Sequence, residues 1–172
     1  MTILRIDPFN ADIVRASPFD CGEPELNDWL ARYAGQNERK GSPRTRLLLD
    51  VNECCVAGYV STTAFQLEPA KGATDVGASG RYPISAVLIA RLAIHRPYQG
   101  QGAGGLLLTA TLESLADASK TVGFEIIVVH ALHETAAGFY LRHGFRRSLD
   151  EPRTLYLTVT DLRAAFGSSN VQ

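Results

Sequence analysis

Hydrophobic residues recur at regular intervals along most of the chain, and the interval changes from one segment to the next. The first group follows the three-to-four-residue period of a helix: Leu26, Trp29, Leu30, Tyr33 and Ala34. Pro24 stands before this group, at a position where a helix tolerates proline in its first turn. We therefore predict a helix from Pro24 to about Arg39, ended by the segment Gly41-Ser42-Pro43.

Strand-like runs follow this helix. Residues 45–51 and 54–65 read as two strands, and Asn52-Glu53 between them predicts a hairpin turn. Residues 87–94 are apolar except for Arg91, which is typical of a central, buried strand. The intervening residues 68–85 are rich in glycine and proline, and we expect a long surface loop there.

The second half of the chain continues the alternation. We predict helices over 102–121 and 134–143, and strands over 125–130 and 153–160. The first of these helices has an apolar stripe, formed by Leu108, Leu112 and Leu115. Strands and helices interleaved in this way predict the α/β class with a mixed sheet, in one domain over residues 1–165 followed by a flexible tail over 166–172.

Composition agrees with a single globular domain. The chain has 172 residues, of which 45% are hydrophobic and 20% charged. No segment approaches the roughly 20 apolar residues needed to cross a bilayer, and the first residues lack the pattern of a signal peptide, so we expect a cytoplasmic protein without membrane contact. Three cysteines, with Cys54 and Cys55 adjacent on a predicted strand, indicate neither a disulfide framework nor a metal site.

Charge is nearly balanced overall but clustered locally. The formal net charge is −1, which excludes a generally cationic protein. One cluster lies within residues 32–46 and comprises Arg32, Arg39, Lys40, Arg44 and Arg46. The other comprises Arg142, His143, Arg146 and Arg147. Such clusters attract phosphate groups, although solvated faces of helices have the same composition.

The most informative segment is the glycine-rich stretch Gln99–Gly105, between a predicted strand and a predicted helix. Glycine allows the backbone to approach a ligand closely, and the first amides of the helix lack acceptors within it. Together they form an anion site suited to a diphosphate. Three motifs compete for this segment, and a Walker loop is excluded because Gly-Lys-Ser/Thr is absent.

A dinucleotide-binding fingerprint is matched formally by Gly100, Gly102 and Gly105. However, Glu125 begins a strand where the ribose-binding acid should end one, and only one further helix of useful length follows. The third motif, Gln/Arg-x-x-Gly-x-Gly/Ala, belongs to the GNAT acetyltransferases and is matched by Gln99, Gly102 and Gly104. This third motif fits best.

Two stretches resemble the GNAT family in order and spacing. Residues 90–102 resemble its central strand and pyrophosphate loop, and residues 136–145 resemble its late helix, which ends in Tyr-x-x-x-Gly-Phe. The resemblance implies a central splayed, mostly antiparallel sheet flanked by helices, with acetyl-CoA as the acetyl donor and no metal. It also implies that Tyr140 assists departure of the thiol.

The resemblance further implies which residues contact the cofactor. The end of the central strand would pair with the pantetheine arm, with the acetyl group near Ala93 and its carbonyl polarised by the amide of Ile94. His133 replaces an Asn that is usual in the family. The implied cofactor-binding residues are Leu92, Ala93, Ile94, Gln99, Gly100, Gln101, Gly102, Ala103, Gly104, Gly105 and His133.

A narrower likeness concerns the flanking segments. Residues 19–22, 26–30, 42–46, 129–132 and 153–157 are similar to GNAT toxins of type II toxin–antitoxin systems. That resemblance implies acetylation of the α-amino group of aminoacyl-tRNA, a homodimer and a ribbon–helix–helix antitoxin. The candidate residues for tRNA contact are Arg39, Lys40, Arg44, Arg46, Arg91, Arg142, Arg146 and Arg147.

Acetylation of an α-amino group does not require a strong base. A model α-amino group has a pKa near ~7.7–8.0, against ~10.4 for lysine, so it is substantially neutral at ordinary pH. His95, His130 and His133 are candidate bases, each with a structural alternative. Two other functions stay open: a GNAT enzyme acting on a small-molecule or protein amine, and a non-catalytic module that binds acetyl-CoA.

Overall fold

The structure is a computed structural model that describes residues 1–68 and 83–167. Most of the predicted loop over 68–85 and of the tail over 166–172 lies outside these residues. Within them the strands are β1 (Leu4–Pro8), β2 (Arg44–Asp50), β3 (Cys55–Leu67), β4 (Ile84–Ile94), β5 (Ile126–His130), β6 (Arg146–Arg147) and β7 (Thr154–Thr158). The helices are α1 (Ala11–Ala16), α2 (Pro24–Arg32), α3 (Ala34–Lys40), α4 (Ala103–Ala118), α5 (Glu134–Arg142) and α6 (Val159–Phe166).

The strands form a seven-stranded sheet in the order β1-β2-β3-β4-β5-β7-β6. The pairs β1–β2, β2–β3, β5–β7 and β6–β7 are antiparallel, whereas β4 and β5 are parallel from Ala86↔Ile126 to Ile89↔Val129. The prediction of a mixed α/β fold with a mostly antiparallel sheet is therefore confirmed. No helix in the part of the chain that the structure describes is both long and apolar enough to cross a membrane.

The chain divides into two compact units, Met1–Thr63 with Ala90–Thr111, and Ala64–Ile89 with Leu112–Gln172. The first unit has a core in which residues of α2 and α3 pack on β2, β3 and the end of β4. Its buried members are Trp29, Leu30, Ala34, Leu47, Leu49, Val56, Tyr59 and Ala93. Trp29 and Tyr59 stack with ring centroids 5.8 Å apart, and the Tyr59 hydroxyl donates to the carbonyl of Leu26 at 2.8 Å.

The second unit has its own core between strands. It is formed by Leu67, Ile84, Ala86, Ile126, Val128 and Tyr156. In β5 the four residues 126–129 are all buried, as expected for a strand with neighbours on both sides. The predicted strand over 87–94 is longer than expected, since β4 begins at Ile84, and several of its side chains are only partly buried.

Two helix and strand boundaries in the first half of the chain differ from the predictions. The helix predicted over 24–39 is two helices, α2 and α3, which meet at Tyr33. The Tyr33 carbonyl accepts both the regular helix bond from the Asn37 amide at 3.1 Å and a second bond from the Asn37 side chain at 2.8 Å. The hairpin turn has four residues rather than two, and Cys54 lies in it with φ +52°, exposed, rather than on the strand.

The C-terminal strand is shorter than predicted. It ends at Thr158, whose side chain accepts from the Asp161 amide at 3.1 Å and begins α6. The residues 159–160 therefore belong to a helix, not to a strand. The elements β1, α1 and β6 were not predicted, because they are only two to six residues long and carry little periodicity.

Gly58 permits an unusually close approach between β3 and β4. The register of β2 and β3 shifts between Leu48 and Leu49, which leaves Ala57 as an extra residue next to Gly58. A Cβ atom at Gly58 would lie 2.7 Å from Ile94 Cδ1 and 2.9 Å from the carbonyl oxygen of Ala93. Only glycine avoids both contacts, so a residue without a side chain at position 58 allows the end of β4 to pack closely against β3.

Substituting Gly58→Ala is therefore expected to destabilise the protein. We expect a loss of about 1–2 kcal/mol in the free energy of unfolding, because the overpacked methyl group outweighs the entropy that alanine removes from the unfolded chain. Urea denaturation measures it. Gly123→Ala is the matched control, since a Cβ there meets no atom within 4 Å. Equal stability of Gly58→Ala and wild type would contradict the close approach.

Candidate active site

After β4 the backbone forms a short 3₁₀ helix, Arg96–Tyr98, and then a loop whose conformation requires glycine at two positions. Gly100 has φ +73° and Gly102 has φ +83°, both in the left-handed region that side chains disfavour. No atom of residues 1–68 or 83–167 lies within 4 Å of a Cβ atom built at either residue. The surface in front of the loop is therefore open, and a ligand can reach its backbone.

The amides that follow the loop form the first turn of α4. Its first intrahelical bond runs from the Leu106 amide to the Gly102 carbonyl at 3.0 Å. The amides of Ala103, Gly104 and Gly105 precede that bond, so they are the donors that a helix start leaves without acceptors of its own. With the positive end of the helix dipole, they suit an anion such as a diphosphate.

Two glutamine side chains hold this loop in shape. Gln99 Nε2 donates to the carbonyl oxygens of Cys21 at 2.8 Å and Ile94 at 2.7 Å. Gln101 Nε2 donates to the Pro97 carbonyl at 2.9 Å. Both residues were predicted to bind the cofactor. In the structure, the carboxamide nitrogens of both residues hold the backbone of the loop.

The loop is also fastened to the β2–β3 hairpin through Tyr98. Its hydroxyl donates to Asp50 Oδ2 at 2.7 Å and lies 3.3 Å from Cys55 Sγ. This hydrogen bond is the main reason that the pKa of Asp50 is lowered, while burial raises the pKa of Tyr98. The sequence gives no signal for this contact, because its partners are more than 40 residues apart.

The N-terminal segment before α2 meets the same region. Asn27 accepts from the Cys21 amide at 2.8 Å and donates to Asp20 Oδ1 at 3.0 Å. Asp20 also pairs with Arg96 at 3.1 Å, and its pKa is lowered by hydrogen bonds from the Gly22 amide and Asn27. The Phe19–Gly22 segment, identified by resemblance alone, thus supports the backbone around β4's end.

The end of β4 presents backbone groups in alternating directions. The His95 amide donates to the Ala57 carbonyl in β3 at 2.8 Å. Because successive amides in a strand point to opposite edges, those of Leu92 and Ile94 point away from β3. The Ala93 side chain is buried in the core, whereas Leu92 and Ile94 are only partly buried. The backbone N–H groups of Leu92 and Ile94 therefore lie on the edge of β4 opposite β3.

Tyr140, the predicted catalytic residue, is a buried residue of α5. Its side chain packs edge-on against Phe139 and Phe145, with centroids 5.1 and 5.4 Å away. Burial raises the pKa of Tyr140 above its ordinary value. The phenol is therefore neutral at physiological pH, so it donates a hydrogen bond rather than acting as a base.

His133 stands at the start of the same helix. Its Nδ1 accepts from the Ala136 amide at 3.1 Å, so the ring caps α5 in the way an Asn side chain would. This explains locally why a histidine occupies the position that is usually Asn. No group of three or more His, Cys, Asp or Glu within the described residues is arranged to hold a metal ion.

The predicted tRNA-contact residues differ in how they are engaged. Arg44 pairs with Glu38 at 3.0 Å, Arg146 with Asp161 at 3.4 Å and Arg147 with Glu134 at 3.0 Å. Arg46 is partly buried. Three of the predicted contact residues are exposed and form no ion pair with an acid among residues 1–68 and 83–167. They are Arg39, Lys40 and Arg142.

Arg91 is engaged with an aromatic ring. Its guanidinium lies 4.1 Å from the centre of the Trp29 ring, and burial lowers its pKa. Arg91 and Ala93 share one face of β4, the face that packs on the first core. The guanidinium thus covers the edge of that core, which explains a charged residue in an otherwise apolar strand.

Comparison with known proteins places this geometry in a family. A model of the acetyltransferase (GNAT) domain matches residues 51–147. The tRNA-acetylating toxin of Mycobacterium tuberculosis (strain ATCC 25618 / H37Rv) is 31% identical over 157 residues, or 91% of this chain and 93% of the relative.

Solved structures agree. AtaT complexed with acetyl-methionyl-tRNAfMet matches with a TM-score of 0.82 and 27% identity over 95% of this chain and 99% of that chain. A tyrosine-to-phenylalanine mutant of AtaT, bound to the C-terminus of the antitoxin AtaR and acetyl-CoA, has a TM-score of 0.79 and 28% identity over 95% and 98%. Since the family model covers more than half of the chain and the mycobacterial relative nearly all of it, the chain belongs to the GNAT family of acetyltransferases.

Proposed function

We propose that this acetyltransferase moves the acetyl group of acetyl-CoA to the α-amino group of aminoacyl-tRNA, and so blocks translation as a toxin. The 31% identical relative is a tRNA-acetylating toxin, and AtaT is known in complex with acetyl-methionyl-tRNA and, separately, with acetyl-CoA. The observation that carries the proposal is the glycine loop, because it supplies the diphosphate site that the donor needs.

The donor is held by backbone groups. The amides of Gly102 to Gly105 donate to the diphosphate, and the left-handed glycines keep side chains out of its way. The amides of Leu92 and Ile94 pair with the amide-rich pantetheine arm. The Ile94 amide hydrogen-bonds to the acyl oxygen and stabilises the charge that develops there. Acetyl-CoA itself supplies a thioester, whose carbonyl carbon an amine can attack.

Tyr140 acts on the leaving group. A neutral phenol facing the departing sulfur donates a hydrogen bond that strengthens as negative charge develops on that atom. Full proton transfer is uphill because the ordinary pKa of a phenol, ~10, exceeds that of a thiol, ~8.5, and burial of Tyr140 widens the difference. Tyr140 therefore stabilises the thiolate, and solvent supplies the final proton.

The charged tRNA is recognised by local basic residues, since the net charge of −1 provides no general attraction. Arg39, Lys40 and Arg142 are exposed and contact phosphates most readily. Arg44, Arg146 and Arg147 must exchange their acidic partners for phosphates, and Arg46 and Arg91 contribute less because they are partly buried.

The oligomeric state and the antitoxin are part of the same proposal. We propose a homodimer in which one domain over 1–165 is followed by a short tail, neutralised by a ribbon–helix–helix antitoxin encoded separately. The complex of AtaT with the C-terminus of AtaR supports antitoxin binding.

The loop geometry predicts the effect of Gly102→Ala. Left-handed backbone costs a side-chain-bearing residue about 1–2 kcal/mol, so the loop should relax and misplace its amides. We expect the Kd of acetyl-CoA, measured by calorimetry, to rise about tenfold. Gly41→Ala is the control, with φ +92° and equal space around it. A similar rise in Kd for both variants would contradict the assignment.

The role of Tyr140 predicts the outcome of Tyr140→Phe. With radiolabelled acetyl-CoA and total tRNA charged with all amino acids, we expect label in the aminoacyl fraction for the wild type and a rate about 100-fold lower for the variant. The Kd of acetyl-CoA should not change, and Tyr33→Phe, at an exposed position, should retain full activity. No label from the wild-type protein with any amino acid would exclude the proposed function.

The basic residues predict how activity depends on salt. Replacing both Arg39 and Lys40 with alanine should raise KM for charged tRNA and reduce the slope of log KM against log salt by about 2, while KM for acetyl-CoA stays constant. The control Arg5→Ala with Arg15→Ala removes equal charge from residues paired with Asp7 and Asp12. Unchanged kinetics with the first pair would favour a small-molecule or protein amine instead.

A further inference from the structure

Three consecutive residues before α2, Asp20 to Gly22, form a turn whose amides are bonded to side chains. The Cys21 amide donates to Asn27 Oδ1 at 2.8 Å, and the Gly22 amide donates to Asp20 Oδ1 at 2.9 Å. Asn27 Nδ2 also donates to Asp20 Oδ1, at 3.0 Å, so the two side chains are joined. An aspartate that accepts from the amide two residues on is a common way to stabilise a turn, and Gly22 supplies the left-handed backbone, with φ +94°.

The carbonyl groups of this turn are bonded to the residues that follow β4. The Asp20 carbonyl accepts from the Arg96 amide at 2.8 Å, and the Cys21 carbonyl accepts from Gln99 Nε2 at 2.8 Å. The N–H and C=O groups of a trans peptide unit point in opposite directions. The peptide unit between Cys21 and Gly22 is therefore held from both sides, by Asp20 Oδ1 on its N–H and by Gln99 on its carbonyl.

Two more contacts join the turn to the same stretch. The Asp20 amide donates to His95 Nδ1 at 3.0 Å, and Asp20 Oδ2 lies 3.1 Å from Arg96 Nε in an ion pair. His95, Arg96 and Gln99 are thus each bonded to the turn. The turn, the start of α2 and residues 94–105 all belong to the first compact unit.

The stretch held in this way connects the two parts of the proposed donor site. Residues 95–99 lie between Ile94, whose amide is assigned to the acyl oxygen, and the loop whose amides, Gly102 to Gly105, are assigned to the diphosphate. In acetyl-CoA the thioester and the diphosphate are the two ends of one pantetheine arm. Both ends bind well together only if the amides that receive them are held at the matching distance in advance.

We propose that Asp20 and Asn27 are positioning residues of the acetyl transfer, because they hold the turn that fixes the distance between the Ile94 amide and the diphosphate site. They act through the residues between these two parts of the site. The inference rests on the proposed function, which assigns both parts. It gives a role to the segment 19–22, which the sequence marked only by resemblance.

The glycine loop has supports that do not involve this turn. The Tyr98 hydroxyl donates to Asp50 Oδ2 at 2.7 Å, and Gln101 Nε2 donates to the Pro97 carbonyl at 2.9 Å. Loss of the turn should therefore preserve the diphosphate site and change only its distance from Ile94. A ligand that carries the diphosphate without the pantetheine arm needs the loop alone, so it distinguishes an effect on spacing from collapse of the loop.

The test compares the Kd values of two ligands by calorimetry. Acetyl-CoA spans both parts of the site, whereas adenosine 3′-phosphate 5′-diphosphate is the half of coenzyme A that ends at the diphosphate. Asn27→Asp keeps an oxygen for the Cys21 amide but replaces the donor to Asp20 with a second carboxylate oxygen, and like charges repel. We expect the Kd of acetyl-CoA to rise about tenfold, and that of the nucleotide half to change by less than about twofold.

Substitution of Asp20 supplies a graded series and a rescue. Asp20→Asn keeps an oxygen acceptor in the turn but loses the ion pair with Arg96, so it should raise the Kd of acetyl-CoA less than Asp20→Ala does. Combined with Asn27→Asp, it removes one of two facing carboxylates and should recover part of the lost affinity. The Kd of the nucleotide half should stay constant throughout.

Two control variants separate this role from general stability. Asn10→Asp makes the same chemical change in the cap of α1 and should leave both Kd values unchanged. Thr158→Ala removes the cap of α6, so it should lower stability in urea without changing either Kd.

The possible outcomes separate the inference from the proposed function. An unchanged Kd of acetyl-CoA in Asn27→Asp, or an equal rise for both ligands, overturns the inference alone. Gly102→Ala should weaken both ligands, because it alters the diphosphate site itself. If it weakens neither, the proposed donor site is wrong and this inference falls with it. A wild type that acetylates no charged tRNA overturns only the proposed acceptor, since both ligands report on the donor site.

Discussion

The carboxamide of Gln99 is the contact on which the candidate active site most depends. Both hydrogens of one nitrogen are used, one on the last carbonyl of β4 and one on the carbonyl of Cys21. They join the strand end and the glycine loop that follows it to the N-terminal turn before α2, which lies 78 residues earlier in the chain. The next residue back, Tyr98, ties the same loop to the β2–β3 hairpin. A diphosphate site made of backbone amides needs such support, because amides bind well only if their directions are fixed in advance.

Much of the fold could be predicted from periodicity. The helix after the glycine loop was predicted over 102–121 and spans Ala103–Ala118, and the short helix with Tyr140 was predicted to within one residue. The failure at the last strand has a clear physical cause, which is that a side-chain cap ends the regular backbone pattern. Thr158 begins a helix where the apolar pattern continued the strand. A cap such as Thr158 followed by Asp161 is visible in a sequence, but only a search for caps would have found it.

The site shows the same division. The sequence predicted the positions of the loop, the strand end and Tyr140, because glycines and an aromatic motif stand at fixed spacings. It did not predict which atoms are used. Gln99 holds carbonyls, Ala93 faces the core, and Arg91 covers an indole ring. These assignments depend on which strand face each residue occupies and on partners far away in the chain, such as Cys21 for Gln99, and a single sequence records neither.

The packing of Trp29 has a practical consequence. It is the only tryptophan of the chain, and it contacts both the Tyr59 ring and the Arg91 guanidinium, in the same core as Ala93. Indole emission is sensitive to nearby charge and to small changes in packing. The protein therefore contains an intrinsic optical reporter in contact with β4, and any movement of β4 or loss of the cation above the ring changes its fluorescence without a label.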